Sequence, residues 1–485
     1  MMSNQHLAKL ACILLWLYNP GGYVYSQAAA QPPVYSRKDS LQNDYTLLRN
    51  RLQQHYPSLY RYNSKAAITA LFDSCYATLQ DTTSDLAFFK TLKYLVSKMK
   101  DGHLSCSPSR NLRQYLSDQQ AYFPCRLRFI HNKVYVYNCV GNRLPPGAEI
   151  VAINNTPVSQ LKNKLFQYLV GDGDIETKKN YILGNYFYFY YFLVFGGKPH
   201  FNVSYKTASG SISTQKLDAV TEKQLPPIEN DYTKPLDLTI TPDAIAVLTI
   251  QTFDKTAIKD AGLDFENFLR TAFATIREQQ IKKLVIDVRQ NGGGRDLYGS
   301  LLYSYLSPGK FHYYKSLVTA TDQLPFDQYK RNETSFNDLR SDLLVKTPAG
   351  AYQLKPAAHN NLQLMSPAAN NYTHEVWFLV NGLSFSTTAE FCAIARSHHR
   401  GKFIGEETGG AYAGNTSGVP MDIVLPATQI TVSFGSIQYN MAVRPERHAG
   451  KGIIPDFQVL PTIQDLLNKQ DSQLERALEI VRQGK

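Results

Sequence analysis

Apolar positions in the first quarter of the chain recur at helical spacing. The stripe consists of Leu86, Phe89, Leu92, Val96 and Met99. This spacing places the five side chains on one face of a helix, which Ser84 can cap and Gly102 is expected to end. The next residue, His103, is then expected at the helix exit, where a polar ring can face a cleft.

The pattern changes to short β-like runs from Tyr122 to about Thr221. These runs are "CRLRFI", "KVYVYN" and "HFNVSY", and turn residues separate them. Within this region, "LPPGAEIVAINNTPV" (Leu144 to Val158) resembles the core of a PDZ domain, in which a strand edge stays open for an added peptide strand. Any small β-barrel with an Asn-rich turn remains an alternative.

Strand and helix patterns alternate after Asp231. "AIAVLTI" (Ala244 to Ile250) predicts a strand, "KLVIDV" (Lys283 to Val288) predicts a buried strand, and Asp264 to Ile276 predicts a helix between them. This alternation predicts an α/β core with at least partly parallel strands, whose active groups gather at the carboxyl ends of the strands. The polar region from 310 to 372 is expected to be an insertion or a cover over this core.

Two stretches at predicted strand ends carry candidate chemistry. "DVRQNGGG" (Asp287 to Gly294) can turn with exposed N–H groups that suit an anion, although its glycines also suit a plain tight turn. It lacks the residues of a phosphate or dinucleotide loop. "VNGLSFSTTAEF" (Val380 to Phe391) leads from a strand into a helix, so its hydroxyls indicate either a helix cap or a nucleophile.

Composition limits the classes of function. The chain has 485 residues, of which 43% are apolar, so it is globular and has room for two to four domains. Its net charge of +11 is spread along the sequence and does not indicate nucleic-acid binding. The aromatic run from Tyr186 to Phe195 is shorter than the roughly 20 apolar residues of a membrane span.

The N-terminus has the pattern of an export signal. Lys9 precedes the apolar segment Leu10 to Tyr18, and small residues at 26 and 28–30 offer cleavage sites. Its removal would leave five cysteines without metal-ligand spacing: Cys75, Cys106, Cys125, Cys139 and Cys392. One or two disulfides can form among these five. We therefore expect an exported, periplasmic or extracellular bacterial protein.

Taken together, the motifs resemble the S41 family of serine peptidases, which includes carboxyl-terminal processing proteases and the tricorn core protease. The motifs are "DVRQNGGG", "NGLSFSTTAEF", "GKFIGEETGG" and "GIIPDFQV", with Asp101-Gly102-His103 upstream. The resemblance implies a multi-domain α/β fold. Its expected parts are a signal peptide (1–27), an N-terminal helical segment (34–120), a PDZ-like β domain (121–225), a crotonase/ClpP-like catalytic core (230–465) and a C-terminal helix (466–485).

The resemblance implies that Ser386 is the nucleophile. Many relatives place a glutamate three positions after the serine, whereas Glu390 is four positions after Ser386, so Ser384 and Thr387 remain alternatives. The N–H of Thr387 and that of Gly293 or Gly294 would form the oxyanion hole.

The sequence departs from the processing proteases at the general base. Their lysine is missing from "GEETGGAYAG" (Gly405 to Gly414), so the resemblance implies the tricorn-like arrangement with His103 as base. Glu446 is the favoured carboxylate to orient His103, with Glu406 and Glu407 as competitors, although Glu446 can instead pair with a neighbouring arginine. Lys402 and Lys451 are the nearest candidates for a lysine base.

The predicted function is therefore that of an exported serine endopeptidase acting on peptides or proteins. The sequence implies no metal and no cofactor. A binding protein that has lost hydrolysis, with the aromatic run lining its groove, is the first alternative, and a hydrolase of non-peptide esters is the second.

Overall fold

The computed structural model describes residues 38–119, 121–228, 234–323, 341–445 and 450–484. The predicted signal peptide lies outside these ranges, as does Glu446.

The described residues form α-helices before, within and after the strands. In chain order these are α1 (Lys38–His55), α2 (Lys65–Ala77), α3 (Asp85–Lys98), α4 (Arg110–Ser117), α5 (Val158–Phe166), α6 (Thr177–Phe195), α7 (Lys255–Asp260), α8 (Phe265–Glu278), α9 (Asp296–Ser304), α10 (Thr387–Ser397), α11 (Ile463–Asn468) and α12 (Ser472–Arg482).

The strands of the described residues fall mainly into three larger sheets. In chain order they are β1 (Ser105–Ser107), β2 (Cys125–Ile130), β3 (Lys133–Cys139), β4 (Glu149–Ile153), β5 (Thr156–Pro157), β6 (His200–Lys206), β7 (Ile212–Asp218), β8 (Leu236–Ile240), β9 (Ile245–Ile250), β10 (Lys283–Asp287), β11 (Phe311–His312), β12 (Tyr314–Thr319), β13 (Leu344–Lys346), β14 (Tyr352–Leu354), β15 (Leu364–Met365), β16 (Glu375–Val380), β17 (Lys402–Gly405), β18 (Thr416–Val424), β19 (Thr431–Met441) and β20 (Phe457–Gln458).

The central sheet has the order β20-β17-β16-β10-β9-β8. All neighbouring strands are parallel except β8, which runs antiparallel to β9 at one edge. Strands β10 and β16 are almost fully buried because helices cover both faces, which explains their unbroken apolar runs. The predicted α/β class is confirmed, and the carboxyl ends of β10 and β16 carry the two candidate turns.

A second sheet pairs a strand from the first quarter of the chain with strands from the last quarter. Its order is β1-β19-β12-β14-β13, and β18 also pairs with β19. Ser105 of β1 pairs with Ser433 of β19, so the segment directly after His103 is hydrogen-bonded to the C-terminal half of the chain. The predicted cover region supplies β12, β13 and β14 to this sheet.

The predicted helix at 86–99 forms as α3, and the Ser84 hydroxyl caps it by accepting from the N–H of Ala87 at 3.2 Å. The expectation that Gly102 ends this helix is wrong. The last helical residue is Lys98, and Lys100 already has a left-handed φ of 57°. Gly102 is needed for space, because a Cβ there would lie 2.8 Å from two ring carbons of Phe385.

The third sheet has the order β2-β3-β4-β6-β7 and is packed against α6. Helix α6 lies directly on the edge strand β2: a Cβ at Gly184 would be 2.6 Å from the carbonyl oxygen of Leu127. Arg126 also donates to the carbonyl of Asn185 in α6. A peptide strand therefore cannot be added at Leu127 unless α6 moves away, so strand addition at this edge is not available in the observed conformation. The assignment of a PDZ-like domain stays a prediction.

Apolar packing joins the N-terminal helices to the third sheet. One buried cluster runs from Leu41 of α1 through α3 to Phe201 of β6, and a separate cluster fills one face of the central sheet. A disulfide joins Cys125 and Cys139 across β2 and β3. None of the helices in the described ranges is long and apolar enough to span a membrane.

Candidate active site

Ser386 occupies a strained turn between β16 and α10. Its backbone angles are φ 56° and ψ −129°, a region that non-glycine residues rarely adopt. Although it stands at the N-terminal end of α10, its side chain makes no capping hydrogen bond to the helix. The helix-cap interpretation therefore does not describe Ser386, whose turn resembles the strand-to-helix elbow on which nucleophiles are presented.

Ser384 has a structural environment instead. It is fully buried, and its hydroxyl donates to the carbonyl of Val288 at 2.8 Å and accepts from the N–H of Asn381 at 3.1 Å. These two bonds tie the nucleophile turn to the end of β10. Of the two serines, Ser386 is the one placed to react.

His103 meets Ser386 across 283 positions of sequence. Its Nε2 lies 3.0 Å from the Ser386 Oγ, which is within hydrogen-bonding distance of a base and its nucleophile. The imidazole also stacks on the ring of Phe385, with centroids 4.6 Å apart and an interplanar angle of 30°. The structure thus brings the predicted nucleophile and the predicted base together.

The other ring nitrogen of His103 faces Asp101. Nδ1 is buried without a hydrogen-bond partner among the described residues, and it lies 3.8 Å from Asp101 Oδ1. That carboxylate accepts from the backbone N–H of His103 at 2.8 Å and from the hydroxyl of Tyr56. Asp101 is therefore fixed beside the imidazole, but too far from Nδ1 for a hydrogen bond in this conformation.

The predicted competitors for the orienting carboxylate have other partners. Glu406 accepts from the hydroxyl of Tyr181 at 2.9 Å, and Glu407 accepts from the backbone N–H of Gly452 at 3.0 Å. Glu446 lies outside the described residues. Gly450 is close to the site, because its carbonyl accepts from the N–H of Asp174 at 2.9 Å.

The two lysines suggested as alternative bases do not meet the serine in the described contacts. Lys402 is exposed at the start of β17, and the ammonium of Lys451 donates to the carbonyl of Asp174 at 3.5 Å.

The triple-glycine turn packs directly on Ser386. A Cβ at Gly293, where φ is 104°, would lie 2.7 Å from the Ser386 Cβ. The N–H of Gly293 donates to Asn291 Oδ1 at 2.9 Å, whereas the carbonyl of Gly294 accepts from the Thr387 hydroxyl at 2.9 Å. Gly293 therefore allows the close approach, while its own N–H already has a partner inside the turn.

Burial controls the protonation of the His103 region. Desolvation, and after it the charges of Lys178 and Arg61, lower the pKa of His103 below its usual 6.5. Burial raises the pKa values of Asp101 and Asp172, and the charge of Lys178 opposes this at Asp172. The imidazole is consequently neutral near pH 7, which is the form that a general base requires.

A second buried polar cluster lies beneath α9 and α10. Glu390 accepts from Tyr314 at 2.8 Å and from Asn415 at 2.6 Å. Asp296 accepts from the same tyrosine hydroxyl at 3.2 Å and lies 2.9 Å from His359 Nε2. Burial, with the charge of Asp296 second, raises the pKa of Glu390 to about 8. Glu390 is thus a protonated structural group at neutral pH.

His103 and Ser386 open into a cleft of about 2160 Å³. Its wall includes four residues of the aromatic run in α6, which are Tyr186, Tyr188, Phe189 and Tyr190. The aromatic run therefore supplies part of the cleft surface, and its helical form was not predicted.

Asp101, His103 and Asp172 are the candidate metal ligands of the described residues, with one ligand atom each within 4.8 Å of the others. Burial disfavours the protonated form of Lys178, whereas the charges of Asp172 and Asp101 favour it.

Sequence reasoning missed three residues around His103: Asp172, Lys178 and Phe385. Asp172 accepts from the N–H of Gly102 at 2.7 Å and from that of Ala411 at 3.2 Å. A lysine next to an aromatic helix was the available signal for Lys178, but the sequence does not reveal which carboxylates face it.

Comparison with known proteins adds independent information. Residues 244–459 match the model of peptidase family S41. No curated protein matches the sequence. Mature CPAF matches in structure with 14% identity and a TM-score of 0.62, over 92% of this chain and 97% of that chain. Mature CPAF complexed with lactacystin matches with 14% identity and a TM-score of 0.60, over 92% and 98%.

The photosystem II D1 C-terminal processing protease matches more distantly, with 14% identity and a TM-score of 0.40, over 90% of this chain and 98% of that chain. At this identity the two CPAF matches describe the fold alone, whereas the family model covers both candidate turns. The glycine turn and the nucleophile turn both lie within residues 244–459, the region that matches peptidase family S41, and this match supports a serine-type peptidase.

Proposed function

We propose that this protein is an endopeptidase in which Ser386 attacks the peptide carbonyl and His103 accepts the serine proton. The observation that carries the proposal is the 3.0 Å distance between His103 Nε2 and Ser386 Oγ, with Ser386 in a strained turn. His103 would then protonate the leaving amine, and a water activated by the same imidazole would release the acyl group.

The oxyanion would be stabilised by backbone N–H groups at the junction of the two turns. Thr387 is the first residue of α10, so its N–H has no acceptor within the helix. Gly294 comes directly after Gly293, the residue that packs on Ser386. The carbonyl of Gly294 accepts from the Thr387 hydroxyl, which fixes its position. We assign the two donors to Thr387 and Gly294, with Gly293 as the residue that makes room for them.

The carboxylate that orients His103 is proposed to be Glu446. The carbonyl of Gly450 accepts from the N–H of Asp174, and Asp172 nearby accepts from the N–H of Gly102. This position of Gly450 supports the assignment. Asp101, at 3.8 Å from Nδ1, is the competing carboxylate within the described residues. Glu446→Gln and Asp101→Asn, compared at equal folding, separate the two: the orienting residue is the one whose amide variant loses most of kcat.

The substrate is proposed to be an extended peptide or protein segment. The cleft is large, and the aromatic side chains of α6 offer apolar contacts away from the reacting atoms. The binding-protein alternative would use this same surface, so turnover rather than binding separates the two.

We further propose that the protein works outside the cytoplasm. The apolar segment after Lys9 supports export, and the Cys125–Cys139 disulfide is of the kind that persists in oxidising compartments.

Turnover of a peptide library tests the proposed chemistry. Ser386→Ala and His103→Ala should each reduce cleavage by at least about 10³-fold, because both belong to one proton-transfer unit. Ser384→Ala, the matched serine control, should cleave at a rate much closer to wild type once folding is equalised. Cleavage of esters without cleavage of any peptide would favour the ester-hydrolase alternative, and intact binding without turnover in the wild type would favour a binding protein.

A further inference from the structure

Lys178 is a buried lysine at the start of α6. Lys178 is only 4% exposed, although the ammonium of a lysine is normally solvated. Nζ lies 2.9 Å from the centroid of the Phe385 ring and 3.5 Å from the carbonyl oxygen of Gly102. Phe385 precedes Ser386 and Gly102 precedes His103, so one ammonium contacts the neighbours of both reacting residues.

The peptide groups of Gly102 are held from both sides. Its N–H donates to Asp172 Oδ1 at 2.7 Å, and its carbonyl accepts from Lys178. Burial lowers the pKa of Lys178 to about 7, and the charges of Asp172 and Asp101 act in the opposite direction. The backbone of the His103 turn is therefore clamped between a buried cation and a buried carboxylate.

Tight packing fixes the base of the lysine side chain. A Cβ at Gly409 would lie 3.0 Å from the Lys178 Cβ, and a Cβ at Gly382 would lie 3.0 Å from the Lys178 backbone nitrogen. Gly382 belongs to the nucleophile turn. Helix α6 thus meets the nucleophile turn and the His103 turn through the same residue.

We propose that Lys178 is a positioning residue for the general base: through Gly102 and Phe385 it holds the His103 imidazole beside Ser386. This inference rests on the proposed role of His103. Lys178 is not itself assigned as the base, because in the described contacts His103 and not Lys178 lies on the serine hydroxyl.

The charges around His103 determine the direction in which its pKa should change when the charge of Lys178 is removed. Lys178 and Arg61 are the cations that lower the pKa of His103, and burial lowers it further. Asp101 in its own turn and Asp172 in the segment before α6 are the facing carboxylates. Removing the Lys178 charge removes a repulsion of the protonated imidazole, so the pKa of His103 should rise.

The test is the pH profile of kcat/KM for a neutral peptide substrate in Lys178→Met. This change keeps an unbranched side chain and removes the charge. We expect kcat to fall by about tenfold or more with KM changed less than about threefold, since positioning of the reacting groups is lost. The acid limb should also move upward by about half a pH unit or more, toward the unperturbed histidine value.

Lys179→Met is the matched control. It removes the same charge one position along α6, from a side chain that is partly exposed, and the acid limb should stay at the wild-type position. Lys178→Arg retains the charge and should keep the acid limb near that of wild type even if kcat falls. If Lys178→Met does not fold, Lys178→Gln provides the uncharged comparison with Lys178→Arg.

An acid limb that is identical in wild type and the uncharged variant would overturn the proposal and leave Lys178 a packing residue. So would full activity in His103→Ala together with no activity in folded Lys178→Met, which would make the lysine the base. A wild-type rate in Ser386→Ala would instead overturn the proposed function itself, so the two failures are distinguishable.

Discussion

Gly102 and Phe385 are packed so closely that a Cβ on the glycine would lie 2.8 Å from both Cε2 and Cζ of the ring. The contact joins the residue before His103 to the residue before Ser386. It explains why these two turns, far apart in sequence, have a fixed separation.

Gly102→Ala should therefore lower kcat by about 10²-fold, because the added methyl group must displace either Phe385 or the His103 turn. Its backbone φ does not require glycine, so crowding alone is tested. Steady-state kinetics checks this, with Gly309→Ala as control, since a Cβ there meets nothing within 4 Å. Equal rates for the two variants would contradict the role given to this contact.

Gly293→Ala should abolish measurable turnover. The methyl group would lie 2.7 Å from the Ser386 Cβ, in addition to the strain of an alanine at φ 104°. Gly262→Ala separates the two effects, because its φ of 74° is also positive but a Cβ there has open space. Activity assays and thermal unfolding should show a loss of stability in both variants, larger in Gly293→Ala, and a loss of activity in Gly293→Ala alone. Retained activity in Gly293→Ala would be incompatible with the tight junction of the two turns.

The acid limb of kcat/KM should have its midpoint below pH 6.5. His103 acts as base only when neutral, and its lowered pKa means that the neutral form persists to a lower pH than for an exposed histidine. The profile is measured with a substrate that lacks ionisable side chains. A midpoint above 6.5 would argue against a buried histidine base flanked by Lys178 and Arg61.

Glu390 should make folding stability fall as pH rises. Its folded pKa of about 8 exceeds its usual 4.5, so the folded state holds a proton that the unfolded chain has already released. This contribution is complete below about pH 4.5 and is lost as pH rises through about 8, at no more than about 1.4 kcal/mol per pH unit.

Glu390→Gln keeps a neutral side chain at every pH, so we expect a flatter dependence of its free energy of unfolding between pH 5 and 8. Denaturant unfolding at several pH values measures the difference between variant and wild type. A difference that does not change with pH would show that Glu390 is ionised in the folded protein.

Local patterns were sufficient to predict the elements that carry Ser386 and His103. The helix capped by Ser84 and the buried strands at 245–250 and 283–287 follow from the repeat of apolar positions, and the nucleophile turn follows from its place between strand and helix. Ser386 and His103 could be proposed from the sequence because each belongs to a short motif, and their catalytic roles stay predictions.

The surroundings of His103 could not be predicted from the sequence, because they depend on contacts between distant segments. Lys178 and Gly102 are 76 positions apart, and their contact exists only because α6 packs against both turns. The position of Gly102 shows the same limit. Its sequence context suggested a helix stop, whereas its actual constraint is the ring of Phe385.

The most direct test of the account is the site at which a fluorophosphonate probe labels the folded protein, mapped by mass spectrometry of its peptides. We predict a single adduct on Ser386, lost in Ser386→Ala, strongly reduced in His103→Ala and retained in Ser384→Ala. An adduct on Ser384 or Thr387, or an unlabelled Ser386 in protein that cleaves peptides, would contradict it.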